Sequence, residues 1–84
     1  MTEIECDVYR SSRKANLYLY VKAGDDLATV PEQLMAQFGA PELALSFTLH
    51  PERTLAREDP LRVMENLEVQ GYHLQLPPAD EKFR

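Results

Sequence analysis

Two short stretches near the start of the chain alternate apolar and polar residues. Apolar residues occupy every second position over 4–8 and again over 17–21, and this period of two is typical of β-strands. The polar stretch 11–16 between them has the length of a hairpin loop. We therefore predict an antiparallel hairpin, with its tyrosines together on the face opposite the apolar positions: Tyr9, Tyr18 and Tyr20.

The middle of the chain predicts a helix and a third strand. Pro31 suits the first turn of a helix, where its missing N–H would be unpaired anyway. Leu34, Met35 and Phe38 follow at helical spacing and form an apolar stripe. Leucine or phenylalanine then recurs at every second position over 43–49, which predicts a strand.

The last third predicts a second helix and a fourth strand. Asp59 is a good N-cap and Pro60 a good first helical residue. The strand over 72–76 ends at Pro77 and Pro78, which cannot donate to a sheet. The predicted order is β-β-α-β-α-β, an α+β fold in which helices pack on a small, mostly antiparallel sheet. The second helix is predicted to bury an apolar stripe of Leu61, Met64 and Leu67, with Val63 a further candidate.

The length and composition favour one cytoplasmic domain. The chain has 84 residues, which we divide into a domain over 1–78 and a flexible polar tail over 79–84. Its single cysteine rules out an internal disulfide, and the N-terminus does not have the pattern of a signal peptide. A net charge of −5 opposes general binding to nucleic acid or to anionic membranes, although it leaves room for a local basic patch.

Several short strings, at these spacings and in this order, resemble the YcgL-domain family of bacteria. They extend over roughly residues 6–78. The strings are Val8-Tyr9-Arg10-Ser11-Ser12, Tyr18-Leu19-Tyr20-Val21, Val30-Pro31-Glu32-Gln33-Leu34-Met35, Phe38-Gly39-Ala40-Pro41 and Gly71-Tyr72-His73-Leu74-Gln75-Leu76-Pro77-Pro78. The resemblance implies an α/β/α sandwich with helices on both sides of the sheet, in a bacterial cytoplasmic protein. It implies no activity, and it supplies no catalytic residue to carry over.

The hairpin loop carries the densest positive charge in this acidic chain. Arginine grips phosphates and carboxylates, and serine hydroxyls add hydrogen bonds. The segment is therefore a candidate contact for an anion, an RNA backbone or a protein partner. The simpler interpretation, which we favour, is a solvated turn that protects the hairpin end from pairing with neighbours. The candidate residues are Tyr9, Arg10, Ser11, Ser12, Arg13 and Lys14.

The tyrosines next to this loop have two interpretations. Aromatic rings on an open sheet resemble the platforms on which single-stranded nucleic acids stack their bases. Tyrosine is equally suited to burial under a helix with its hydroxyl reaching water. We favour the covered arrangement, because domains of this kind are built from two or three packed layers.

The remaining reactive residues suggest no site. His50, His73 and Cys6 lack the spacing of metal ligands, so we predict no metal and no cofactor. Cys6 alternates with apolar residues and is expected to be a buried small hydrophobe. A Cys–His nucleophilic pair would need a spatial adjacency that the sequence does not reveal.

The fourth strand is a second candidate contact, because it precedes two prolines and is a candidate sheet edge. Extended peptides can add to an exposed edge, or the prolines can simply end the pairing. We leave both interpretations open. The candidate edge residues are Tyr72, His73, Gln75, Pro77 and Pro78.

Three functions follow in order of preference. The first is a non-enzymatic adaptor that binds another protein through a sheet edge or the hairpin loop. The second is an RNA-associated accessory protein that contacts phosphates through Arg10, Arg13 and Lys14. The third is a small hydrolase or transferase built on Ser11, Ser12 or Cys6 with a histidine.

Overall fold

The helices and strands follow one another in the predicted order. The computed structural model describes residues 3–25, 27–55 and 58–76. Pro77, Pro78 and the predicted tail over 79–84 lie outside the described residues. The α+β fold and its β-β-α-β-α-β order are confirmed, with elements β1 (Ile4–Arg10), β2 (Tyr18–Lys22), α1 (Glu32–Phe38), β3 (Glu42–Leu49), α2 (Pro60–Val69) and β4 (Tyr72–Gln75).

These strands form one antiparallel sheet in the order β3-β1-β2-β4. The hairpin predicted from β1 and β2 lies at its centre, and the later strands add to either side of it. Within the described residues, β3 and β4 are therefore the two edges of the sheet. This strand order depends on long-range pairing and was not predicted from the sequence.

The hairpin register corrects the predicted position of the tyrosines. Val8 pairs with Tyr20, and Tyr9 pairs with Leu19. Directly paired residues point to the same face of a sheet, so Tyr18 and Tyr20 share a face with the apolar residues of β1. Tyr9 lies on the other face. Both faces of the hairpin are consequently apolar, and both need a cover.

The two helices provide that cover on opposite faces. On the face we call the α1 face, Phe38 packs with Leu19 and Val21, and all three are at most 1% exposed. Leu34 and Met35 join the same cluster, which confirms the predicted stripe of the first helix. The resulting arrangement is helix, sheet and helix, as the family resemblance implied.

On the opposite face, the α2 face, the buried stripe of the second helix differs from the prediction at one residue, Leu61, and includes the further candidate Val63. Asp59 caps α2 as expected, since its carboxylate accepts the Leu61 N–H at 3.0 Å. Leu61 itself is 58% exposed, whereas Val63 and Leu67 are buried. Leu67 and Met64 are correct members of the stripe, and Leu61 is not. The buried side chains on this face are Cys6, Val8, Tyr20, Leu49, Val63 and Leu67.

A β-bulge interrupts the predicted alternation of β3. Val8 of β1 pairs with Leu45, but the next residue, Tyr9, pairs with Leu43 and leaves Ala44 without a partner. The extra residue puts Leu43 on the α1 face and leaves Leu45 on the α2 face. Each leucine is more than half exposed, at 58% and 51%. The single apolar face predicted for this strand is therefore split in two.

No helix among residues 3–25, 27–55 and 58–76 is long and apolar enough to cross a membrane.

Candidate functional site

An open groove of about 480 Å³ lies on the α2 face, beyond the part of the sheet that α2 covers. Its floor is the Tyr18 end of the hairpin, and its far wall is the segment that follows β3. The bulge of β3 forms one side, since Ala44 and Leu45 both line the groove. The side chains that line it include Tyr18, Leu45, Phe47, Arg53, Leu55 and Gln75.

Arg53 forms part of the far wall. Its guanidinium carbon lies 4.3 Å from the centre of the Phe47 ring, which is a cation–π contact. No carboxylate of a described residue lies within ion-pair distance of it. The groove therefore combines apolar and aromatic walls with one cation whose guanidinium donors can still bind a ligand.

Beneath the groove, Tyr20 fixes the end of β4. Its hydroxyl donates to Gln75 Oε1 at 2.8 Å, and its ring meets His73 edge-on with centroids 5.5 Å apart. Burial, and secondarily the negative charge of Glu58, raises the pKa of Tyr20 to about 12. The hydroxyl thus remains a neutral hydrogen-bond donor throughout the physiological range.

His73 belongs to a buried polar network that joins β4 to α2. Its Nε2 lies 2.8 Å from Glu58 Oε1, and its Nδ1 lies 2.8 Å from the Asn66 side-chain nitrogen. An amide nitrogen can only donate, so Nδ1 accepts and Nε2 carries the proton toward Glu58. Both ring nitrogens are satisfied and the side chain is 9% exposed. This histidine therefore stabilises the packing of β4 against α2, and it does not line the groove.

Cys6 is also unavailable for chemistry at the surface. The residue is 1% exposed under α2, and burial, with a smaller contribution from Asp7, raises the pKa of its thiol to about 12. A thiol in this environment is a poor nucleophile, because the thiolate is the reactive form. Cys6 occupies the buried position that its alternation predicted.

The hairpin loop folds around Ser11. Its hydroxyl donates to the Phe38 carbonyl at 2.6 Å and accepts the N–H groups of Arg13 and Lys14 at 3.0 Å. The loop thereby rests on the C-terminal end of α1, next to Gly39. A Cβ on Gly39 would lie 2.5 Å from Ser12 Oγ, and this glycine has a φ of 82°, so the close approach requires glycine. Ser11 is a structural residue of the turn.

The positive charge of the loop is smaller than its sequence suggests. Arg10 is paired across the sheet with Glu42, with Nη2 and Oε1 3.0 Å apart. Arg13 and Lys14 have no such partner among the described residues and line a shallow cavity of about 350 Å³. Tyr9, the first residue of the predicted cluster, is half-buried on the α1 face. Two cations, rather than three, are thus free to meet an anion.

The groups required for the hydrolase hypothesis do not come together. His50 lies near Glu52, with 3.6 Å between Nδ1 and Oε1, and His73 contacts Glu58 and Asn66. Neither histidine makes a hydrogen bond to a serine or cysteine in the part of the chain that the structure describes. That part also contains no group of three or more acidic, histidine or cysteine residues arranged to hold a metal.

The predicted contact strand β4 is an edge, but its side chains already have partners. His73 and Gln75 are in the networks above, and Tyr72 packs into the α1-face cluster. The Tyr72 carbonyl accepts the Gln70 side-chain N–H at 3.0 Å. The candidate contact residues around β3 and the groove were not identified from the sequence. Leu45 and Phe47 looked like ordinary buried strand positions, and Arg53 like part of a loop.

The fold and the groove define a small three-layer α+β domain with one long exposed sheet edge. The YcgL domain model matches residues 6–78, and the chain belongs to this family. A YcgL domain-containing protein of Stutzerimonas stutzeri is 55% identical over 78 residues. Similar proteins of Azotobacter vinelandii and Pseudomonas aeruginosa are 54% and 51% identical. In each case the match covers 93% of this chain and 80% of the relative.

Proposed function

We propose that this protein is a non-enzymatic interaction module of the bacterial cytoplasm, and that it binds an extended segment of a partner protein along β3. The observation that carries the proposal is the exposed edge of this strand. A cytoplasmic location agrees with its bacterial relatives and with a lone, buried cysteine that forms no disulfide.

Several properties of β3 favour docking there. The strand has eight residues, and its first five are exposed. Edge strands present unpaired N–H and C=O groups, and natural proteins usually shorten, charge or cover them. Apart from Glu42, β3 carries no charged residue, and only Leu49, at its end, is buried in the cluster with Val63 and Leu67 of α2. A long edge with exposed leucines is a template for a further strand.

The groove gives this edge its selectivity. When a strand is added to a sheet, backbone hydrogen bonds provide affinity, and pockets for alternate side chains provide specificity. Leu45 and Phe47 belong both to β3 and to the groove. Side chains of an added strand that point to the α2 face would therefore meet an apolar surface and the guanidinium of Arg53.

The β4 edge is the weaker candidate for docking. It has four residues, and its side chains stabilise the domain through Tyr20, Glu58 and Asn66. A short edge whose side chains already have partners offers a docking segment little backbone to pair with.

The test is capture of a partner from a bacterial lysate by tagged variants. Leu45→Lys puts a charge on the edge of β3, and Leu61→Lys puts the same charge at a similarly exposed position on α2. We expect a nuclease-resistant partner to be captured by the wild type and by Leu61→Lys, and to be lost with Leu45→Lys. Equal capture by both variants would contradict docking on β3, and unchanged thermal unfolding would show that both are folded.

Contact of the hairpin loop with RNA is the second candidate. The supporting observation is the exposed pair Arg13 and Lys14, which have no carboxylate partner among the described residues. Two phosphate contacts predict a log–log salt dependence with a slope of roughly −1.4 to −1.8. If this candidate is right, Arg13→Ala with Lys14→Ala will abolish RNA retention in a filter-binding assay. Retention that is unchanged by the double substitution would exclude the loop as an RNA contact.

A further inference from the structure

The two faces that adjoin β3 differ in chemistry. On the α2 face, Ala44, Leu45 and Phe47 continue into the apolar groove. On the α1 face, the helix covers the half of the sheet around β2 and β4, and the half around β1 and β3 is open. The open half carries the exposed Leu43 at one end and the polar residues Ser46 and Thr48 along the rest of β3.

Those two hydroxyls lead to a pair of carboxylates on β1. Ser46 donates to Asp7 Oδ1 at 2.7 Å, and Thr48 donates to Glu5 Oε2 at 3.0 Å. Neither carboxylate has a cation within ion-pair distance among the described residues. Each hydroxyl occupies one carboxylate oxygen and leaves the other available. The open face beside β3 therefore carries two uncompensated negative charges.

We propose that the partner segment of this module is a strand that alternates basic and apolar residues. This inference rests on the proposed docking on β3. Successive side chains of a strand point to opposite faces. The apolar side chains, at every second position of the added strand, would therefore enter the groove beside Leu45. The intervening lysines or arginines would lie over Ser46 and Thr48, toward Asp7 and Glu5. An added strand lies about 10 Å from β1, two strand spacings, which long basic side chains extending from it can bridge.

A second copy of this chain is a poorer occupant of the same edge. Antiparallel pairing of β3 with itself would continue the same face from one copy to the next. It would place two acidic patches on that face, so the like charges of the two copies would add rather than cancel. A basic partner strand neutralises the patch instead.

The inference is tested with two synthetic peptides of eight residues, one alternating valine with lysine and one alternating valine with glutamate. Binding to the ¹⁵N-labelled protein is followed by amide shifts in NMR. We expect the valine–lysine peptide to shift the amides of β3 and to bind at least tenfold more tightly than the valine–glutamate peptide. Its affinity should fall as salt is raised, because exposed charges are screened.

Matched double variants separate the local carboxylates from the overall charge. Glu5→Gln with Asp7→Asn keeps acceptors for Ser46 and Thr48 and removes two charges. Glu32→Gln with Glu65→Gln removes two charges from exposed positions on the helices. Loss of two exposed ion pairs to the valine–lysine peptide should weaken its binding to the first variant about fivefold, which corresponds to about 1 kcal/mol. The second variant should bind within about twofold of the wild type.

The outcomes distinguish this inference from the function on which it rests. Equal binding of both peptides on β3, or equal losses in both double variants, would overturn the basic pattern and leave docking on β3 in place. Failure of both peptides to shift any β3 amide would overturn both. A dimer in sedimentation that Leu45→Lys dissociates would assign the edge to a second copy and overturn the peptide proposal.

Discussion

Ser11 joins three backbone groups where the hairpin loop meets α1. It donates to the Phe38 carbonyl and accepts two N–H groups of the loop. Its neighbour Ser12 is exposed, and its hydroxyl makes no hydrogen bond to another residue in the described part of the chain. Adjacent serines thus have different roles, which charge and composition alone do not separate.

Replacing Ser11 with alanine should destabilise the domain by about 1.5 kcal/mol, because three hydrogen bonds at a partly buried turn are lost. Ser12→Ala should change stability by less than about 0.5 kcal/mol. Urea unfolding followed by circular dichroism measures both. Equal stability of the two variants would show that Ser11 does not organise the loop.

Cys6 makes the stability of the fold depend on pH in the alkaline range. Burial raises the pKa of its thiol from 9.0 to about 12, so the folded protein keeps a proton that the unfolded chain releases. This contribution is complete below about pH 9 and is lost as the pH rises toward 12. Between about pH 8 and about pH 10.5, the free energy of unfolding of the wild type should fall by about 2 kcal/mol more than that of Cys6→Ala. Parallel losses in urea unfolding would contradict the assigned burial of the thiol.

Among the elements, α2 shows the difference between a local signal and a packing outcome. Its start at Asp59 and Pro60 depends on neighbouring residues and was predicted correctly. Its buried stripe depends on how the helix rotates against the sheet: the structure buries Val63, which the pattern gave as a further candidate, and exposes Leu61. Helical spacing alone allows either residue to face the core.

This rotation is testable by truncating each side chain. Val63→Ala should cost about 2 kcal/mol, because it leaves a cavity in a fully buried position. Leu61→Ala should cost less than about 0.5 kcal/mol, as expected for an exposed helical site. Thermal unfolding is sufficient to rank them. A larger loss for Leu61→Ala would restore the stripe predicted from the sequence.

The strands of the hairpin and β3 were predicted correctly, but the prediction of which side chains share a face was only partly correct. Arg10 pairs with Tyr18 across the loop, so residues of equal parity in the two strands share a face. A hairpin loop longer by one residue would shift the pairing by one position and put Tyr9, Tyr18 and Tyr20 on one face, as the pattern predicted. In β3 the single unpaired Ala44 moves Leu43 to the opposite face. Register and bulges arise from pairing between distant segments, and alternation within one segment cannot reveal them.

At the scale of the whole molecule, the sheet is covered unevenly. The helices bury the centre of both faces. The structure leaves the first five residues of β3 exposed, with the groove on one face and the exposed Glu5 and half-buried Asp7 on the other. The candidate site could not be predicted from the sequence, because its residues come from separate segments and only the strand order brings them to one edge. In the basic loop, which was singled out from the sequence, Arg13 and Lys14 have no ion-pair partner among the residues that the structure describes.

The most direct test of docking on β3 is amide hydrogen exchange of the protein with and without its captured partner. Backbone pairing protects amides from exchange. We predict slower exchange in 42–49 on binding, with little change in 72–75 or in the loop 11–17. Protection confined to the loop or to β4, with β3 unchanged, would contradict the proposed function.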